Sequence, residues 1–353
     1  MKTKRLFAIS LAGLMTISAC SMGNITVSAA RVKDSVVYQE SDYNEINKEE
    51  YAENLDDYIE MEAYDVKTGK TRTYYMKDNP QNAYFPATKG YEGKINTIEK
   101  DKDSLVNNSV EKGGALKSII GADNRSVISD SDAKRVPYKH IGKLITTFAG
   151  INNDRKECKA SAFLVGKSII LTSAHNVYEP HAIETLGCFY PSLTSGNLND
   201  MYKVEFEFKT IHIPKEYKNA VANGDKINMD KYDYALVELY DNPGKTYGYL
   251  ALGGYNTTYN INYLVGKNAT VVGYPQNKYK MYRHKGEILG FSSGNYNMYY
   301  KMDTSKGQDG GPVILPISGG KYYVVAINSS EGTYYNYGRY ITKNIYDLVN
   351  KYK

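Results

Sequence analysis

The chain predicts an all-β fold, a barrel or a sandwich, over residues 126–353. Three observations carry that prediction. Short apolar runs recur from about Ser126 onward, Gly, Asn, Asp and Pro separate them, and little helical periodicity lies between. Ile141–Phe148, Ser161–Val165, Ile169–Thr172, Val204–His212 and Tyr234–Leu239 read as strands. So do Ala269–Gly273, Glu287–Phe291, Met298–Met302, Pro312–Pro316 and Tyr322–Ile327. One helix closes the chain over Ile345–Lys351, with Thr342 as its N-cap and Ile345, Leu348 and Val349 on one face.

Before Ser126 the texture differs. Lys2, Lys4 and Arg5 precede the apolar run Leu6–Ile17, which reads as a signal peptide within residues 1–30 and is too short to span a membrane. Two cleavage readings stand side by side. Ile17-Ser18-Ala19-Cys20 would place a lipid on Cys20, and Val27-Ser28-Ala29-Ala30 would end an ordinary signal. Either one exports the chain, to the medium or as a cell-surface lipoprotein, and membrane contact is expected only through Cys20. Residues 31–125 form an acidic leader of net charge −5, against +7 for residues 126–353. Opposite charges suit a pro-segment that docks on its own body, and equally a solvated acidic linker. Within the leader, Lys67-Thr68-Gly69-Lys70 lies between Tyr-, Val- and Thr-rich stretches over 59–76 and reads as a hairpin turn. The leader ends at Ala122-Asp123-Asn124-Arg125, a basic residue in an exposed loop of the kind that is nicked.

Composition narrows the function. The basic residues of the body are not clustered as nucleic-acid binding requires, so no nucleic acid is expected. The 36 tyrosines decide little, because Tyr is an ordinary strand residue. Once Cys20 is removed or lipidated, Cys158 and Cys188 remain. In an exported protein they read either as a disulfide or as two free thiols. They are too few for a metal site, and no cofactor is expected.

Three segments carry chemistry. In Thr172–Val177 (TSAHNV), His175 opens a turn at the end of a buried strand, a rigid support from which a general base can reach substrate. In Tyr232–Val237 (YDYALV), Asp233 precedes an apolar run, the place for a buried carboxylate that holds an imidazole. In Gly307–Val313 (GQDGGPV), a Gly-rich turn can aim the N–H groups of Gly307 and Asp309 into one cavity as an oxyanion hole.

In this order the three segments resemble the His, Asp and Ser segments of trypsin-like serine peptidases. Residues 126–353 resemble in particular the bacterial glutamyl endopeptidases, through Ser126-Val127-Ile128, Val136-Pro137-Tyr138, Val272-Gly273-Tyr274-Pro275, His284-Lys285-Gly286-Glu287-Ile288, Met302-Asp303-Thr304 and Arg339–Tyr346. The resemblance implies two antiparallel β-barrels, a pre-pro-protein, and a mature N-terminus at Ser126. It also implies a substrate pocket that involves Thr304, position 328 and Ser126.

Two positions depart from the pattern. Asp309 stands where the family has its nucleophilic Ser, and Asn328 stands where members that cleave after Glu have a His. Three functional readings follow. The first is an exported peptidase homologue that binds peptide or protein in its cleft without hydrolysing it. The second is an active secreted endopeptidase. The third is a hydrolase in which Asp309 attacks and His175 activates water. Chemistry favours the first, because a carboxylate is a poor amide nucleophile and opposes the anion that must form beside it.

Overall fold

The computed structural model describes residues 15–17, 25–27, 58–78, 119–152, 154–253, 261–317, 321–330, 332 and 334–353. Within the unit Met1–Glu45, Met15–Ile17 pairs antiparallel with Ile25–Val27. All else belongs to the unit Ile46–Lys353. The loosely structured segment expected over 31–58, and most of the one expected over 77–125, lie outside the described residues.

Two closed six-stranded antiparallel barrels make up the body. The first runs Ala235–Leu239, Ile169–Thr172, Arg155–Leu164, Ile141–Ala149, Glu184–Pro191 and Phe206–Pro214, and closes by pairing Phe206–Pro214 with Ala235–Leu239. The second runs Lys321–Ser330, Pro312–Ile317, Asn268–Gly273, Tyr282–Phe291, Asn297–Tyr300 and Asn336–Tyr340, and closes between its first and last strands.

Strand periodicity explains why so many of these runs are continuously apolar. Ala235, Val237 and Leu239 fill the first barrel, whereas Leu236 between them joins a cluster that lies between the barrels. Ile170 faces inward, and Ile169 and Leu171 face the shared cluster. The second barrel repeats the division: Val271, Val313 and Leu315 fill it, while Val272 and Ile314 face out to the shared cluster. Successive side chains of a strand point to opposite faces, so a strand buried on both faces needs apolar residues throughout.

The elements match the sequence reading with informative differences. Ser161–Val165 and Glu287–Phe291 overlap the more buried ends of ten-residue strands, Arg155–Leu164 and Tyr282–Phe291, whose first halves are more exposed. The strands Glu184–Pro191 and Asn336–Tyr340, and the helices Lys215–Asn223 and Lys226–Tyr232, were not expected. The closing helix spans Lys343–Tyr352; Thr342 sits at its N-cap, but its side chain makes no capping hydrogen bond. The leader hairpin is present as Tyr58–Asp65 and Thr71–Lys77, seated on the outer edge of Phe206–Pro214.

The expected disulfide is not formed. Cys158 and Cys188 are both free thiols. The strand Ile141–Ala149 runs between them, with Thr146 opposite Cys158 and Ile145 opposite Cys188. Two strand spacings are about 9–10 Å, beyond the ~7 Å limit for a bridge, and neighbours 145 and 146 face opposite sides of the sheet. Cys158 instead donates to Asn176 Oδ1 at 3.7 Å. Burial first, and then the charge of Asp309, push its thiol up to about 11.

Candidate active site

Strand pairing brings the first two site residues together. Thr172 pairs with Ala235, so the end of one strand and the start of its neighbour share one rim of the first barrel. His175 lies in the 3-10 turn Ala174–Asn176 just past Thr172, and Asp233 caps the helix Lys226–Tyr232 just before Ala235. The imidazole Nδ1–H donates to Asp233 Oδ2 at 2.8 Å, and the His175 backbone N–H donates to Oδ1 at 3.0 Å. Ser329, which the sequence reading missed, donates its hydroxyl to the same Oδ2. Three donors therefore hold a carboxylate that is only 4% exposed.

The charges follow from this packing. Burial alone would raise the Asp233 carboxyl, but the His175 charge and hydrogen bond, helped by Ser329, outweigh it and hold the group below its usual value. Burial alone would lower His175. The charge and hydrogen bond of Asp233, then the charges of Asp309 and Asp230, reverse that and raise it to about 9. Burial is the largest single influence on His175, and only the carboxylates acting together overcome it.

Asp309 lies on a Gly-rich turn fixed by hydrogen bonds on both sides. Its carbonyl accepts from Ser161 N–H at 3.0 Å and from Asn176 Nδ2 at 3.1 Å. Gly310 N–H donates to Asn328 O at 2.7 Å, and Asn328 N–H returns to Gly311 O at 2.8 Å. Two glycines permit this seam. Gly307 has φ +95°, and a Cβ there would lie 2.3 Å from Gln276 N; Gly310 has φ +81°, and its Cβ would lie 2.2 Å from Ser161 O. The Gly307 carbonyl is fixed by the Ser161 hydroxyl at 2.8 Å.

The pocket residues sit beside this turn. Asn328 is wholly buried, and both ends of its amide are engaged: Tyr300 OH donates to Oδ1, and Nδ2 donates to Asp309 Oδ1 at 3.2 Å. Thr304 is also wholly buried, and among the described residues its hydroxyl has no partner. Ser126 is exposed, in the short strand Ser126–Val127 paired with Tyr282–Arg283. A cavity of about 440 Å³ lies next to it, lined by Asn124, Ser126, Thr270, Arg283, His284 and Lys285, none of them His175, Asp233 or Asp309.

The leader's end touches the same loop. The Asp303 carboxylate accepts from Ile120 N–H at 2.7 Å and from Asn124 N–H at 2.9 Å. Arg125 is not the exposed basic side chain the sequence reading expected. It is 13% exposed, pairs with Asp123 at 2.8 Å, and donates to Ser305 and, at 2.9 Å, to Gln308 Oε1. Its flanking residues Gly121–Asn124, Ser126 and Val127 are exposed, as a turn-rich stretch should be.

The structure thus brings His175, Asp233, Asp309, Gly307, Thr304 and Asn328 to one region. Among the described residues no cluster of three or more His, Cys, Asp or Glu is arranged to hold a metal ion. Residues 160–327 match the trypsin-like peptidase domain family. A glutamyl endopeptidase of Bacillus licheniformis is 27% identical over 302 residues, which cover 82% of this chain and 85% of that protein. An extracellular metalloprotease of Bacillus subtilis is 27% identical over 235 residues, 66% of this chain and 68% of that protein. A solved structure of a Glu endopeptidase in complex with MPD shares the fold at a TM-score of 0.51 and 21% identity, covering 67% of this chain and 99% of that one.

Proposed function

We propose that this chain, which carries a trypsin-like peptidase domain on two β-barrels, is an exported peptidase homologue that binds peptide or protein in its cleft and does not hydrolyse it. One observation carries the reading: a carboxylate, Asp309, stands at the position where the resembled family has its nucleophile, and Asn328 donates to it at 3.2 Å.

Peptide-bond hydrolysis on this scaffold needs a hydroxyl to attack and a neutral imidazole to take its proton. Asp309 supplies neither an amide-attacking oxygen nor a proton to be taken. It also places negative charge where the tetrahedral oxyanion must develop, so the barrier rises. His175 fails the second requirement, since a pKa of about 9 leaves it protonated at neutral pH. The same protonation counts against Asp309 as a nucleophile with His175 activating water. Loss of the nucleophile from such a triad costs roughly 10⁶-fold in turnover, and leaves the binding surfaces in place.

The resemblance would place Asn328 in a substrate pocket of different selectivity. Asn328 carries no charge to meet an acidic side chain, and its amide is already shared between Tyr300 and Asp309. Export rests on the signal-like segment and on the extracellular relative.

The test is a peptide panel offered to the full chain and to Asp309→Ser, each before and after cleavage at Arg125. The unmodified protein should show no turnover above background, and the variant should gain some. Clear cleavage by the unmodified protein that disappears in His175→Ala would refute the reading.

A further inference from the structure

We propose that the hairpin Tyr58–Lys77 is a strand-added subunit of the first barrel, and that it stays seated on the edge Thr210–Pro214 after the chain between it and Ser126 is cut. The processed protein would then be a two-piece assembly. The edge is a receptor for a β-hairpin whose pairing strand carries Glu60, Glu62 and Asp65.

Barrel closure leaves part of one strand edge open. Phe206–Pro214 pairs along one side with Ala235–Leu239. On its other side Glu184–Pro191 reaches only Phe206 and Glu207. The remaining length has no barrel partner, and the hairpin takes it in antiparallel register from Thr210 opposite Asp65 to Pro214 opposite Met61. Without the hairpin this would be an open sheet edge, a template for pairing with another chain.

The seat is built for side chains as well. On the hairpin's inner face Ile59, Met61 and Ala63 are 3%, 1% and 1% exposed. The alternate residues Glu60 and Glu62 reach the helix Lys215–Asn223, pairing with Lys215 at 2.8 Å and Lys218 at 2.6 Å. The Glu60 N–H also donates to Glu216 Oε1 at 3.2 Å. The second hairpin strand reaches the closing helix: Lys351 lies 4.2 Å from the Tyr74 ring, and Asn344 donates to Asp78 at 2.8 Å.

A polar pin lies under the hairpin. His212 is wholly buried and donates from Nε2 to Glu238 at 3.0 Å. A carboxylate can only accept, so the Nδ1 of the neutral ring accepts from Tyr74 OH at 3.0 Å. Release of the hairpin would strip His212 of that donor and uncover the seat of Ile59, Met61 and Ala63.

The experiment uses the full chain with a site-specific protease sequence inserted within residues 90–110. After cutting, gel filtration and native mass spectrometry in non-denaturing buffer should find the leader fragment and the body together in equal amounts, separating only in denaturant. The double substitution Ile59→Asp and Met61→Asp should release the fragment on cutting. Charge reversal by Lys215→Glu with Lys218→Glu should speed release about tenfold, as expected for two ion pairs turned repulsive. Adding Glu60→Lys and Glu62→Lys should restore retention. Departure of the parent fragment under native conditions, whatever the state of the body, overturns the proposal. Retention that is indifferent to both the apolar and the charge-reversing pairs overturns the assigned seat.

Discussion

Replacing Asp309 with Asn removes one of the negative charges that raise His175 and should leave the turn and the Asp233 hydrogen bond in place. In the parent, His175 should titrate near 9. An opposite charge within about 4–6 Å is worth roughly 1–3 in pKa. Asp233, hydrogen-bonded at 2.8 Å, supplies the larger part. Because 36% of the His175 side chain meets solvent, the more distant Asp309 belongs at the low end. Asp309→Asn should therefore lower the midpoint by about 1. The measurement is a pH titration of the histidine ring resonances by NMR, with His175 assigned through His175→Gln. The chain has 5 histidines, so the assignment is tractable. Stability should follow the same sign. A raised imidazole pKa contributes stability that is complete below about 6.5 and is lost as pH rises through about 9. The denaturation midpoint of the parent should fall across that window, and that of Asp309→Asn should fall less. A parent midpoint near 6.5, or equal midpoints in the two proteins, would refute the reasoning.

Three further outcomes are expected. Ser329→Ala removes one of the three donors to Asp233; it should cost about 1 kcal/mol in urea denaturation and raise the pH at which acid destabilises the protein, since a depressed carboxyl pKa contributes stability that is lost as pH falls through it. Gly310→Ala forces a Cβ to within 2.2 Å of the Ser161 carbonyl at a φ of +81°, and should either prevent folding or lower the thermal midpoint by more than about 10 °C, as circular dichroism would show. Alkylation under denaturing, non-reducing conditions should label both Cys158 and Cys188 by intact mass, and native alkylation of Cys158 should be slow at pH 8, because its thiol is held near 11.

The parts of the site that were legible in the sequence are those whose chemistry is local. His175, Asp233 and Asp309 each lie within a few residues of a buried strand or a Gly-rich turn, and such patterns are written in consecutive residues. Ser329 was not legible, since it meets Asp233 across 96 residues and only the pairing of distant strands shows the contact. The strand Glu184–Pro191 escaped for a packing reason. Its Gly187 leaves room for the ring of Phe208, where a Cβ would lie 2.2 Å away, and a glycine in mid-strand reads as a break. The helix Lys215–Asn223 buries only Tyr217 and Ala220, too few apolar positions to show a period. The disulfide was misjudged because cysteine counting cannot see a third strand lying between two others.

The alternation of apolar residues along the barrel strands separates two properties that are usually entangled. Ala235, Val237, Val271 and Val313 determine whether each barrel closes, and Leu236, Val272 and Ile314 determine how one barrel rests on the other. A substitution at 236, 272 or 314 therefore acts on the packing between the barrels before it acts on either interior. The way one barrel rests on the other can thus be altered through residues that fill neither interior.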